Sequence, residues 1–559
     1  MANLHHPRNI WFLVFLIFVT PMISALAGSD RPKPTKPDEP PEIAELTRIV
    51  SRITEKEKQI RATLQQYNPR LETYLQYYKL DSELGDDVTN DDYFLGRLRF
   101  SQKLEEKAQE MPLIPESKGG LLHRADKTLK EHVQLDEFAV EPLVLDETSF
   151  DREHYIFEPV RWVYLGDLRC LAIDVRPRDP NTIGAFRGRI WVEKQNYAIV
   201  RLNGSRTNPP RGMCHIHFDC WRENLQPGEW LPVYIYSQES DLGKHLHYKA
   251  ETRIWGYDLN PHEQQQKLTT ILTDASPPIA EKGQITSDIS PVESERQLTV
   301  DAEQNILDRL EKARLLAPSG NVDKVLETVI NNLIVTNHLE SLPPVHCRVM
   351  LTSPLESFSL AYTIVLSRGL VDVLPDEASL AMILAHELGH IALGHKLDTR
   401  YAFNDRMQVS DEDLLKSLDV SRSPADEAAA DTKGIELLKN SPYKEKLAQA
   451  GLFLRAATDA SSYVPHLFGA HMGGGLTEGN GKTIRMGQLI SNAPAFTPRN
   501  VEQIAALPLG SRLQVNAWDG SVGFTNRKAV PLVGPSEKMP FRVTPVIPYL
   551  HDYAPPAEN

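Results

Sequence analysis

Ala385-His386-Glu387-Leu388-Gly389-His390 contains the pattern His-Glu-x-x-His, and the rest of the chain is organised around it. Two histidines four apart on a helix stand about 40° apart around its axis, so both imidazoles face the same way. That spacing suits two nitrogen ligands to one zinc ion. Glu387, between them, is placed to take a proton from a water that the metal activates. Upstream, Pro375-Asp376-Glu377 reads as a helix start, with proline in the first turn and acids at the positive end of the dipole. Leu380, Met382, Ile383, Leu384, Leu388, Ile391 and Leu393 make the helix apolar almost all round, as a buried helix is. Polar side chains in such a helix are costly unless paired, and a metal supplies the pairing. The competing account is a surface helix whose histidines are merely hydrogen-bonded.

A second stretch bears on that choice: Ala425-Asp426-Glu427-Ala428-Ala429-Ala430-Asp431. Its alanines are strong helix formers, which puts Glu427 and Asp431 on one helix face. A zinc site with two histidines needs a third protein ligand and an open position, and Glu427 fits as that ligand. Asp431, one turn on, is placed to accept the remaining N–H of a ligating histidine and fix its tautomer. The bland account is a solvated acidic face, which alanine flanks disfavour. His395 is the rival third ligand. On a continuous helix it points about 140° away from His390, so it is read as a supporting or surface residue.

Together, His386-Glu387-Leu388-Gly389-His390 and Glu427-x-x-Ala430-Asp431 resemble the Glu-zincin peptidases of metallopeptidase family forty-eight, in its soluble exported branch. The run Phe358 to Leu370, ending in Arg368-Gly369-Leu370, is similar to the family's strand and turn that feed the zinc helix. The resemblance covers roughly residues 300 to 505. It implies a mainly helical zincin domain with a small sheet whose edge strand pairs with the substrate backbone. It also implies one zinc ion held by His386, His390 and Glu427, with Glu387 as general base. There are departures. Glu356-Ser357 stands where the family has Asn-Ala, and Asn492-Ala493-Pro494 where it often has Thr-His-Pro. The usual transition-state histidine is therefore missing, and Arg499 is left as a candidate to aid a developing oxyanion.

The chain has 559 residues, enough for about three domains. With 61 Lys and Arg against 75 Asp and Glu, its net charge of −14 argues against a nucleic-acid binder. Residues 1–27 read as a signal peptide: Arg8, then an apolar core from Ile10 to Val19 too short to span comfortably, then Ala25-Leu26-Ala27. Export follows, with the periplasm as the expected compartment. Residues 28–42 form a proline-rich tether. Ile43, Leu46, Val50, Ile53, Ile60, Leu64 and Tyr67 recur at helical steps, interrupted by Glu57, and predict a helical segment over 43–115, continuing as a hairpin to about residue 110. Residues 116–258 switch to period two, as in Arg189–Leu202 and Trp230–Tyr236, and predict a curved antiparallel sheet. Gly188-Arg-Ile-Trp-Val-Glu and Ile199-Val-Arg-Leu-Asn-Gly204 are similar to the half-barrels of outer-membrane lipoprotein carriers. Cys214 and Cys220 are too far apart along an extended strand to bond each other, which leaves Cys170 as a cross-strand partner for either.

Residues 259–297 read as a linker, 298–505 as the zinc metallopeptidase domain, and 506–559 as a C-terminal β or irregular tail. Residues 397–424 read as a polar lid, and Gly473-Gly474-Gly475 with Gly479-Asn480-Gly481 as a flexible loop at the cleft. The fold class is α+β multidomain. The expected activity is zinc-dependent hydrolysis of peptide bonds in envelope protein quality control. Unfolded envelope proteins are the expected substrates, with peripheral association to the membrane or to outer-membrane assembly machinery. The rival expectation is a lipid- or client-binding envelope chaperone with a silent zinc domain. A third is a zinc hydrolase acting on another bond.

Overall fold

From Arg70 onward Leu71, Thr73, Leu75 and Tyr77 alternate with Glu72, Tyr74, Gln76 and Tyr78, and a period of two makes a strand. This corrects the expected helical hairpin. In the computed structural model, helix α1 spans Ile43–Leu64 and stops before Asn68-Pro69. Strands β1 (Arg70–Asp81) and β2 (Gly85–Arg97) follow as an antiparallel pair. The tyrosines and β-branched residues favour strand, and proline at 69 prevents continuation of the helix. The structure describes residues 43–81, 85–98, 141–143, 145, 150–209, 215–239, 246–258, 291–397, 420, 422–469, 472–478, 482–483, 485–497, 503, 509–525 and 541–554. The signal, the tether, most of the polar lid, Cys214, Gly479–Gly481 and Arg499 lie outside the described residues.

Seven further strands complete one sheet: β3 (Tyr155–Leu165), β4 (Leu168–Pro177), β5 (Phe186–Glu193), β6 (Ile199–Arg206), β7 (Ile216–Gln226), β8 (Glu229–Glu239) and β9 (Leu246–Trp255). The order is β2-β1-β9-β8-β7-β6-β5-β4-β3, antiparallel throughout. The chain meanders from β3 to β9, and the N-terminal pair then adds beside β9. Helix α1 buries Ile49, Val50, Ile53, Ile60 and Leu64. Glu57 does not break this stripe for nothing. Its carboxylate accepts from Arg222 Nη1 at 2.6 Å and Nη2 at 3.0 Å, and both residues are buried. Cys170, Cys220 and Cys347 are free, buried thiols, so Cys170 and Cys220 are not bridged.

The second half is mainly helical. A helix over Pro291–Lys312 begins inside the stretch read as linker, and Asn321–Thr336 follows it. Then come β10 (His346–Met350), β11 (Glu356–Leu360) and β12 (Thr363–Ser367). The zinc-motif helix runs Glu377–Leu393, and a further helix runs Pro424–Lys439. The small sheet has the order β10-β12-β11-β13, where β13 is Gly474–Gly475. A small hairpin, Leu513–Val515 with Val522–Phe524, lies in the C-terminal stretch. Among the described residues no helix is long and apolar enough to cross a membrane.

The two halves share one core. On β1, Glu72 accepts from Arg368 Nη2 at 2.9 Å, from Ser353 Oγ at 2.8 Å and from Ser353 N–H at 2.6 Å. Glu72 and Arg368 are both 1% exposed, so the arginine of Arg-Gly-Leu is anchored by the large sheet. Gln76 bridges to the C-terminal segment, donating to Phe541 O and accepting from Val543 N–H. Asp91 on β2 accepts from Tyr74 Oη, from the His466 ring and from the amides of His466 and Leu467.

Candidate active site

The zinc-motif helix starts at Glu377, so Pro375 precedes the cap rather than lying in the first turn as expected. Asp376 caps it by accepting from Ser379 N–H at 2.8 Å, and Gly394 ends it in a left-handed conformation at φ 68°. The facing helix is capped by Ser423, with Pro424 in its first turn. The two helices cross very closely. A Cβ on Gly389 would lie 2.7 Å from Ala430 O, and one on Gly434 3.0 Å from Ala385 O. Glycine at 389 and at 434 lets the two backbones come this close, and the close crossing brings Glu427 to the two histidines.

His386, His390 and Glu427 converge, with one donor atom from each within 4.8 Å of the others. The Nε2 atoms of His386 and His390 are 3.2 Å apart, His386 Nε2 is 3.2 Å from Glu427 Oε2, and His390 Nε2 is 3.7 Å from Glu427 Oε1. Ligand atoms about 2.0–2.1 Å from a tetrahedral zinc lie about 3.3 Å apart, so these spacings fit one face of such a site. The donor chemistry agrees. His386 Nδ1 lies 2.8 Å from Asp431 Oδ1, the partner for an Nδ1–H, which turns the Nε2 lone pair toward the Glu427 carboxylate. Two acceptors facing each other in a buried site call for a cation.

The surrounding groups orient this set. Asp431 also accepts from Met486 N–H at 2.8 Å. His395 is brought back to the site despite its spacing, because the helix ends at Gly394: its Nδ1 lies 2.9 Å from His390 Nδ1. That contact matches the supporting position, one of the two readings that the sequence leaves open for His395. Glu387 is 1% exposed, accepts from Ser357 Oγ at 2.7 Å and from Arg485 Nη1 at 2.9 Å. Arg485 also donates from Nε to Glu427 Oε2 at 3.0 Å and from Nη1 to Ser357 Oγ at 3.0 Å. Arg422 donates to His395 O and Ser359 O, tying the start of the facing helix to β11.

These contacts set the charges. Burial raises the Glu387 carboxyl, but Arg485 and the two histidines outweigh it and hold Glu387 below the ordinary glutamate range. Burial likewise opposes ionisation of Glu427, yet the histidines and Arg485 drive its pKa far down. Burial and Arg485 lower His386, while Asp431 and Glu427 bring it above its usual value. The site therefore keeps its carboxylates ionised, as metal ligation and base catalysis both require.

The structure brings together His386, Glu387, His390, Glu427 and Asp431, the residues singled out from sequence spacing. Sequence spacing missed Ser357 and Arg485. Ser357 was visible only as a departure from the family's Asn-Ala, and Arg485 lies in a glycine-rich stretch with no motif. Of Gly473–Gly475, read as a loop at the cleft, Gly474 and Gly475 form a short strand paired with β11.

None of the curated proteins matches the chain. Solved structures with partial likeness include a LolA-superfamily protein from Nitrosomonas europaea, at 11% identity and TM-score 0.17, over 36% of this chain and 90% of that one. Another is a DUF1329 family protein from Desulfovibrio piger, at 11% identity and TM-score 0.19, over 37% of this chain and 94% of that one. Residues 321–410 match the family model described as Peptidase family M48, and over that stretch, which holds His386, Glu387 and His390, the chain is of the metallopeptidase type.

Proposed function

We propose that the chain is an exported zinc-dependent metalloendopeptidase acting on unfolded polypeptides of the cell envelope. The observation that carries the reading is the convergence of His386, His390 and Glu427, backed by Asp431, beside a buried Glu387. Ala25-Leu26-Ala27 after an apolar run supports export to the periplasm.

Zinc held by these three ligands would supply Lewis acidity toward a water and a substrate carbonyl. Glu387 takes the proton of the attacking water on its carboxylate and returns it to the leaving amine. Asp431 keeps His386 in the tautomer that offers Nε2, and His395 does the corresponding service at His390. Ser357 and Arg485 fix the Glu387 carboxylate. Burial of Glu387 limits competition from bulk water. An extended substrate laid along β11 would pass directly over Glu387, because Ser357 on that strand touches it.

The test is metal removal. Incubating the full chain with a chelator abolishes cleavage of an unfolded polypeptide, and one equivalent of zinc restores it. Cleavage that persists in the zinc-free chain contradicts the reading. No cleavage with zinc bound moves the weight to client binding without proteolysis.

A further inference from the structure

We propose that Met472–Leu476 is an intramolecular strap lying where the substrate strand must lie, so that the site rests closed. This rests on the peptidase reading above. In the sheet order β10-β12-β11-β13, β11 is the strand next to Glu387, and its outer edge is taken by β13 of the same chain. Gly475 pairs with Glu356 and Gly474 with Ser357, antiparallel. Unpaired strand edges add extended chains, and this edge leads to the general base. A substrate and β13 cannot both pair with Glu356 and Ser357.

The strap is fastened by specific contacts. Glu356 Oε2 accepts from the amides of Met472 and Gly473, each at 2.9 Å, and Glu356 is 1% exposed. Glu356-Ser357 is the position at which the sequence departs from the family's Asn-Ala, so one departing side chain holds the strap and the other touches Glu387. The glycines let the strap lie flat. A Cβ on Gly473 would lie 2.5 Å from Phe358 Cδ1 and 3.0 Å from Ser357 O, and one on Gly474 would lie 1.7 Å from Arg485 Nη2. The Arg485 guanidinium takes the space that a side chain at 474 would need, and it is held there by Glu387 and Glu427.

The experiment uses the full, zinc-loaded chain, wild type beside Gly473→Val. Three readouts are taken: amide exchange at Met472 and Gly473, binding of fluorescein-labelled casein in a Glu387→Gln background, and casein cleavage in the intact background. Gly473→Val speeds exchange at both amides. A strap closed nine-tenths of the time masks affinity about ten-fold, so casein binding tightens by about that factor and cleavage rises. Faster exchange with unchanged or weaker binding and cleavage overturns the strap. Tighter binding with no cleavage in any chain keeps the strap and removes the peptidase reading. Should Gly473→Val fail to fold, Glu356→Gln is read by the same criteria, because it weakens the acceptor of both strap amides without adding bulk.

Discussion

Arg485 Nη1 lies 2.9 Å from Glu387 Oε1, with both side chains buried. The same guanidinium reaches Glu427, so the candidate base and the candidate third ligand are held by one cation that follows a glycine-rich stretch. Two carboxylates this close would repel in a dry site, and the arginine makes their joint ionisation tolerable. Arg499, singled out from the sequence for an electrostatic role, lies outside the described residues; among those described, Arg485 bonds both Glu387 and Glu427.

Asp431 touches the candidate ligand His386 and would act on a bound metal through it. Asp431→Ala should therefore lower zinc affinity by about 10- to 100-fold while leaving the fold intact, as removal of such an orienting partner does. Competition with a chelating dye measures this directly. An unchanged zinc affinity would mean that the 2.8 Å contact to His386 Nδ1 does not support the ligand.

The pair Glu72 and Arg368 joins the large sheet to the turn before the zinc-motif helix, with both residues buried. Glu72→Ala leaves the guanidinium without its main partner, its other carboxylate contact being Asp372 at 3.6 Å. Breaking a buried pair from one side costs about 3–5 kcal/mol. Denaturant unfolding followed by tryptophan fluorescence should show that loss, in a single transition, since one core runs through both halves. A loss under about 1 kcal/mol, within the range of a surface pair, would refute the coupling.

Much of this was legible in the sequence, for physical reasons. His-Glu-x-x-His and Glu-x-x-Ala-Asp report ligand geometry because a helix fixes which side chains share a face. The period-two runs from Arg189 to Tyr257 report strands because each face of a sheet sees a different environment. Residues 70–97 were misread as helix because the tyrosine-rich run follows a long amphipathic helix with only Asn68-Pro69 between them. Glu57 looked like a flaw in an apolar stripe, since its partner Arg222 is 165 residues away. Arg485 and the strap stayed hidden for the same reason. Their meaning lies in what β11 presents across space, and no local pattern encodes it.

His466 gives the interface between β2 and the helical half a pH dependence. Burial lowers its pKa, but the hydrogen bond and charge of Asp91 outweigh this and raise it above the usual value. A histidine raised in the folded state contributes stability that is fully present below its unfolded value, about 6.5, and is lost as pH rises through the higher folded value. Stability should therefore decline as pH rises above about 6.5, and His466→Gln should flatten that part of the profile. Identical slopes for the two chains would show that the Asp91 contact carries no protonation linkage.

The central claim is that Glu387 performs proton transfer at a site built from His386, His390 and Glu427. Cleavage of an unfolded polypeptide by the full chain, wild type beside Glu387→Gln, with zinc content measured in both, tests it most directly. The account predicts equal zinc, turnover by wild type, and a loss in Glu387→Gln of at least the 10²–10⁴-fold, roughly, that general base catalysis supplies. Comparable turnover by the two chains at equal zinc would contradict it.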